Sequence, residues 1–273
     1  MNALTEVFER WAQEPAVLVE VVATQGSAPR EAGAWMVVSA QAVRGTIGGG
    51  HLEFDAIAQA RQMLSASESA DSAQTLERRV ALGPSLGQCC GGVVQLRFER
   101  LQGLDAAARQ RLMQRLTPAT LPVALFGGGH VGRAIVQACA PLPVAVHWID
   151  SREGIFPPEL PPNVRAEHSE PVQAAVDSIA PGSRVLIMSF SHAEDLDVVA
   201  RCLRRQRVRG DLPFVGLIGS KSKWAAFRHR LEGRGFSAEE IAQVRCPIGV
   251  PGILGKEPAV IAAGVVAQLL QTR

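Results

Sequence analysis

The chain has 273 residues, 47% of them hydrophobic, and 28 Lys and Arg against 26 Asp and Glu leave a formal net charge of +2. That length suits two ordinary domains with separate cores, and the balanced charge offers no global field to a nucleic acid or an anionic membrane. Five cysteines, an odd number, do not make a disulfide framework. Met1 to Glu14 lacks the basic start and apolar core of a signal peptide, and no apolar run is long enough to span a bilayer, so a cytoplasmic protein is expected.

Leu4, Val7, Phe8 and Trp11 lie on one stripe and predict a short helix over 4–12. Strands are expected at 16–23, 35–39 and 42–47. Gly48 to Gly50 then lead into a helix from His51 to Ser65. Further strands at 76–82 and 93–98 flank the glycine-rich stretch Gly83 to Gly92. Asp105 is placed to cap a helix running to Leu116, and Thr117-Pro118 marks a boundary.

Beyond that boundary the pattern alternates. Strands are expected near 122–126, 144–149, 184–189 and 214–218, with helices near 130–140, 171–179, 194–206, 220–232 and 258–270. Ile155 to Pro162 is proline-rich and reads as irregular, and the last helix has an apolar face that must pack on something, the first domain being one choice. Alternation at this spacing predicts parallel strands with right-handed crossovers. The expected fold class is α/β: a smaller N-terminal α+β domain over 1–118, then a Rossmann-like doubly wound parallel sheet over 119–273.

The second domain carries the strongest motif. Gly127, Gly129 and Gly132 follow a short apolar strand on the spacing of a dinucleotide-binding turn, with Gly128 and His130 between them. Asp150 ends the next strand, where a ribose-binding acid belongs, and Arg152 follows it on the ligand side of the sheet. His192 ends the third strand on that same side. Gly219-Ser220-Lys221-Ser222-Lys223 places two lysines at a helix start, against the helix dipole, for which a bound anion would be a reason. The arginines between Arg201 and Arg209 read first as a solvated helix face, and second as a dock for an acidic partner.

Three segments of the first domain are unusual together. Thr24 to Arg30 is a polar loop with one cation, Arg30; Gly48, Gly49 and Gly50 repeat the glycine-to-helix design; Cys89 and Cys90 sit side by side in a glycine-rich loop. Glycine turns are amide cradles for anions, and thiols suit a soft or sulfur-bearing group, so a phosphate-bearing ligand is expected there. Cys139 and Cys202 read as core residues, and Cys246 stays ambiguous. His51-x-Glu53 lacks the P-C-x-x-C that a zinc deaminase needs, and no G-x-S-x-G elbow occurs. Neither a catalytic residue nor a metal site is expected.

Eight segments in order resemble the XdhC/CoxI family, the xanthine dehydrogenase accessory factors. They are GSAPREAGAWMVV (26–38), GTIGGGHLE (45–53), LGQCCGG (86–92), LFGGGHVG (125–132), WIDSREGIF (148–156), SHAEDLD (191–197), GLIGSKSKW (216–224) and CPIGVPGILGKEP (246–258). The resemblance covers nearly the whole chain. It implies a chaperone, with no turnover step of its own, that holds molybdopterin molybdenum cofactor as cargo. It further implies sulfuration through a cysteine desulfurase, delivery to the molybdenum subunit of xanthine dehydrogenase, and a homodimer. A carbon monoxide dehydrogenase-type molybdoenzyme is the alternative client. On this resemblance Cys89, Cys90, Gly48 to Gly50, Arg30 and the Gly127 to Gly132 turn would bind cofactor, and the Rossmann cleft is left open for a second nucleotide.

Two other readings stand beside it. The glycine turn with Asp150 fits an NAD(P)-dependent oxidoreductase, although no hydride-relay acid or base stands out in the first domain. A dinucleotide-binding interaction protein would bind NAD without turnover.

Overall fold

The computed structural model describes residues 14–66, 75–83, 91–117 and 119–272. The chain divides into two compact units, Met1–Pro118 and Ala119–Arg273. The helix expected over 4–12 and the cysteine pair Cys89-Cys90 lie outside the described residues.

The first unit is built on one antiparallel sheet. Its strands are β1 (Ala16–Gln25), β2 (Trp35–Ser39), β3 (Val43–Gly45), β4 (Thr75–Ala81) and β5 (Val93–Arg100), in the order β3-β2-β1-β5-β4. Central β1 is buried over Ala16–Val21, so alternate residues serve two cores. Val17, Val19 and Val21 join Met36, Val38, Leu96 and Phe98 beneath helix α1 (Gly50–Ser65), through Leu52, Ala56 and Ala60. Ala16, Leu18 and Val37 face the other way, onto Leu112 and Leu116 of helix α2 (Ala106–Leu116). Asp105 caps α2 by accepting from the Ala108 amide at 2.6 Å.

The second unit is a six-stranded parallel sheet. Its strands are β6 (Leu121–Phe126), β7 (Val144–Asp150), β8 (Val164–His168), β9 (Arg184–Ile187), β10 (Phe214–Leu217) and β11 (Val244–Arg245), in the order β11-β10-β9-β6-β7-β8. This is a doubly wound Rossmann-like order, whose switch point lies between β6 and β9. One face carries helices α3 (His130–Cys139) and α7 (Pro258–Leu270). The other carries α4 (His192–Arg209), a short 3-10 turn (Val172–Asp177), α5 (Lys221–Gly233) and the one-turn α6 (Ala238–Ile241).

Two parts of the sequence expectation are corrected, the edge strands and the helix over 171–179. The residues of β8, Val-Arg-Ala-Glu-His, and the two-residue β11 were not anticipated, because edge strands only partly covered by neighbours carry no apolar run. The helix expected over 171–179 is a 3-10 turn. The last helix packs within its own unit, where Ala262, Val265, Val266 and Leu269 meet Ile135, Val136 and Cys139. Cys139 and Cys202 are buried, and burial pushes their thiols up to about 11 and about 12, so both are inert core residues.

Of the arginine run on α4, Arg204 and Arg209 are exposed on a solvated face as expected, while three others are tied to the chain's own acids. Arg201 pairs with Asp177, Arg207 with Glu240, and buried Arg205 with Asp211 while donating to the Val176 and Ile179 carbonyls. Helix α3 starts so close to the turn after β6 that a Cβ at Gly132 would stand 2.0 Å from the Gly127 carbonyl oxygen. Gly132→Ala is therefore expected to lower unfolding stability by roughly 1–3 kcal/mol. A urea titration tests this, and an unchanged midpoint contradicts the packing.

Candidate functional site

The carboxyl ends of β6, β7, β9 and β10 form one edge of the second unit, where open α/β sheets take ligands. The Gly127 amide continues the sheet by donating to the Ile149 carbonyl at 2.8 Å, and its own carbonyl accepts from Trp148 Nε1 at 2.9 Å. Gly127 has φ +128°, and a Cβ there would strike the Met188 carbonyl oxygen at 2.1 Å. The next amide, Gly128, donates to Asp150 Oδ2 at 2.5 Å. Turn and strand end are thus tied by a charge-assisted bond.

Gly129 differs from its neighbours. It has φ −71°, a conformation any residue adopts, and a Cβ there would meet nothing within 4 Å. The fold does not require glycine at 129, so the space it leaves is the part of the turn open to a ligand. It caps α3 without a side-chain bond, and His130 follows exposed at the helix start.

Asp150 is buried at 2% exposure. Besides the Gly128 amide, it accepts from the Arg152 amide and Nε on Oδ1, each at 2.9 Å, and from Arg152 Nη2 on Oδ2 at 2.9 Å. Desolvation alone would raise the carboxyl; the Arg152 guanidinium and the two amides outweigh it and hold the group below its ordinary value. The Arg152 guanidinium also lies over the Phe190 ring, 4.6 Å from its centroid, and Phe190 is 65% exposed.

Two further carboxylates organise the neighbouring strand ends. Glu194 accepts from Ser151 Oγ and from the Phe190 amide, bridging the loops after β7 and β9. Asp195 accepts from the Ser189 amide and from Lys223 Nζ, both at 2.7 Å, and Lys223 also donates to the Ile218 carbonyl. The anion that accounts for Lys223 at a helix start is therefore Asp195 of the chain itself. Cys246 stands beside this pair, since a Cβ at Gly219 would meet its Sγ at 3.4 Å, and burial pushes the thiol up to about 11. Beyond it a cavity of about 230 Å³ is lined by Gly219, Pro247, Gly249, Val250, Ile253 and Gly255. His192 is exposed, with its ring edge-on to Phe227 at 6.3 Å, and no described hydrogen bond joins it to the Asp150 set.

In the first unit three of the unusual segments converge. A Cβ at Gly48, whose φ is +124°, would stand 2.5 Å from Pro29 Cβ and 3.4 Å from Arg30 Cγ. A Cβ at Gly92 would strike the Ser27 and Gln25 carbonyl oxygens at 2.3 and 2.6 Å. The Leu82 amide donates to the Gly92 carbonyl at 2.8 Å. The polar segment ending in exposed Arg30 therefore adjoins the glycine turn at one end and Gly92 at the other.

The glycine turn at Gly48 to Gly50 already holds an anion. Glu53 Oε2 accepts from Thr46 Oγ1 at 2.5 Å, the Ile47 amide at 3.0 Å and the Gly49 amide at 3.1 Å. Burial raises this carboxyl, while the Thr46 hydroxyl and the turn amides lower it further than that, leaving a net fall from 4.5. A free cradle was expected from the glycines; a carboxylate on the first turns of α1 fills it. Sequence reading also passed over Glu194 and Asp195, although acids in a first helical turn are a standard helix-start signal. Among the described residues no cluster of His, Cys, Asp or Glu is placed to hold a metal ion.

Comparisons with known proteins follow the same two parts. The model of the XdhC Rossmann domain matches residues 123–269, and that of the XdhC and CoxI family matches residues 10–77. The chain belongs to the XdhC/CoxI family. YqeB of Escherichia coli K12, described as uncharacterized, is 29% identical over 277 residues; the match takes in 100% of this chain and 46% of YqeB. The chain thus spans about half the length of that relative. A crystal structure described as a xanthine dehydrogenase from Bacillus halodurans superposes with a TM-score of 0.75 at 18% identity, over 99% of this chain and 96% of that one. At that identity the likeness shows the fold.

Glu53 generates a pH prediction. Because its folded value is depressed, its contribution is complete above the unfolded value of 4.5 and is lost as pH falls through the lower folded value. Glu53→Gln should destabilise the first unit by about 1 kcal/mol at neutral pH, a modest figure because the group is partly solvated. The gap between wild type and variant should close in acid. Urea titrations followed on amides of the first unit check this; a gap that is constant with pH contradicts it.

Proposed function

We propose that this chain is a molybdenum-cofactor chaperone, a maturation factor without a turnover step of its own. Membership of the XdhC/CoxI family supports the general role. The observation that carries it to particular residues is the convergence in the first unit. The polar segment Thr24 to Arg30 adjoins the Gly48 turn at its Pro29-Arg30 end and, at its Gln25 to Ser27 end, Gly92, which follows the segment bearing Cys89 and Cys90. A molybdopterin cargo carries a phosphate and a metal with sulfur ligands. Arg30 would meet the phosphate, in place of amides that Glu53 already occupies, and a thiol would meet the soft end.

In the finer form of this reading, Cys89 and Cys90 retain the cofactor while a cysteine desulfurase supplies sulfur. The loaded chain, as a homodimer, then delivers it to the molybdenum subunit of a xanthine dehydrogenase; a carbon monoxide dehydrogenase-type enzyme is the alternative client. A carrier must protect its cargo and still release it, which calls for a dissociation constant near micromolar, about −8 kcal/mol. Among the described residues no helix is long and apolar enough to cross a membrane.

The test mixes the purified chain with molybdenum cofactor released from a molybdoenzyme and passes it through gel filtration. Wild type should co-elute with molybdenum, Arg30→Ala should retain several-fold less, and Cys89→Ala/Cys90→Ala should lose about tenfold in affinity, near 1.4 kcal/mol. Equal retention by wild type and the double variant removes the thiols from the site. No retention by wild type removes the chaperone reading.

A further inference from the structure

The second unit keeps one half of a dinucleotide site and closes the other. In a dinucleotide-binding turn the glycines admit the pyrophosphate, and the acid at the end of the second strand accepts from the ribose hydroxyls. Gly129 leaves the first half open, because nothing stands within 4 Å of where its Cβ would be. The second half is taken. A carboxylate offers about four acceptor positions, and Asp150 receives four donors: the Gly128 amide, the Arg152 amide, and Arg152 Nε and Nη2.

These donors are not easily displaced. The guanidinium fork meets the carboxylate edge through two parallel bonds of 2.9 Å, and its Cζ lies over the Phe190 ring. A ribose hydroxyl is a neutral donor and would have to replace a charged one at a group 2% exposed to solvent. That exchange runs against the ligand. We propose that Asp150 is a positioning and specificity-determining residue: by engaging Arg152 and the Gly128 amide it removes the ribose acceptor, and the Rossmann cleft rejects NAD.

The inference is independent of the cofactor reading, because its test involves no molybdenum. The full chain is titrated with NAD⁺ by calorimetry, as wild type, Arg152→Ala and Arg152→Ala/Asp150→Asn, with thermal melts to show that each variant folds. Wild type should show no saturable binding up to about 1 mM. Arg152→Ala, which frees two acceptor positions, should bind at least about tenfold more tightly, and the added Asp150→Asn should abolish that gain. A merely structural Arg152 would give no such gain. If Arg152→Ala does not melt cooperatively, Arg152→Lys, with a point charge in place of the fork, is read the same way. Saturable binding by wild type below that concentration overturns the proposal, as does a folded variant that ignores NAD⁺ equally.

Discussion

The second unit depends on one buried carboxylate. Asp150 ends β7 at the sheet edge, and its two oxygens join the glycine turn after β6 to the guanidinium of Arg152. Removing a charge from water is costly unless donors replace the lost solvation, and here four do so. Their combined effect outweighs desolvation and keeps the group ionised below its ordinary value. Arg152 is thereby held over Phe190, and the Gly128 amide is withdrawn from any ligand. The open part of the turn begins one residue later, at Gly129.

The same device appears in the first unit on a different fold. Glu53 reaches back from α1 and takes the amides of Ile47 and Gly49. In both places a glycine turn that exposes main-chain donors is neutralised by a carboxylate from further along the chain, Glu53 on the helix that follows and Asp150 at the end of the next strand. Lys223 and Asp195 reverse the signs, a cation at a helix start answered by an acid on the neighbouring helix. Anions and cations suggested by these motifs are thus supplied in large part by the chain itself. Among the described residues exposed Arg30 beside the Gly48 turn and Lys221 at the start of α5 form no ion pair, and Arg30 is the one that adjoins the unusual segments of the first unit.

Much of the fold was legible because periodicity reports burial. The buried run of β1, the alternation of β5 and the Asp105 cap of α2 each follow from local sequence. Strand β8 was not legible, because at an edge its Arg165 and Glu167 interrupt any apolar pattern. The 3-10 turn at Val172–Asp177 shares the composition of a short helix, and only tertiary packing decides between them. For the site, spacing located the turns but not their partners. Asp150 and Arg152 are two residues apart and look in sequence like a ribose acid followed by a ligand cation. Their mutual pairing is a matter of side-chain direction, which no spacing records.

The most direct measurement is the titration of the Asp150 carboxyl carbon by NMR on the full chain. The account predicts a midpoint below the ordinary 3.8, unmoved by added NAD⁺, because all four acceptor positions are engaged within the protein. A midpoint at or above 3.8, or one that shifts when NAD⁺ is added, would show a carboxylate free to meet a ligand and would contradict it.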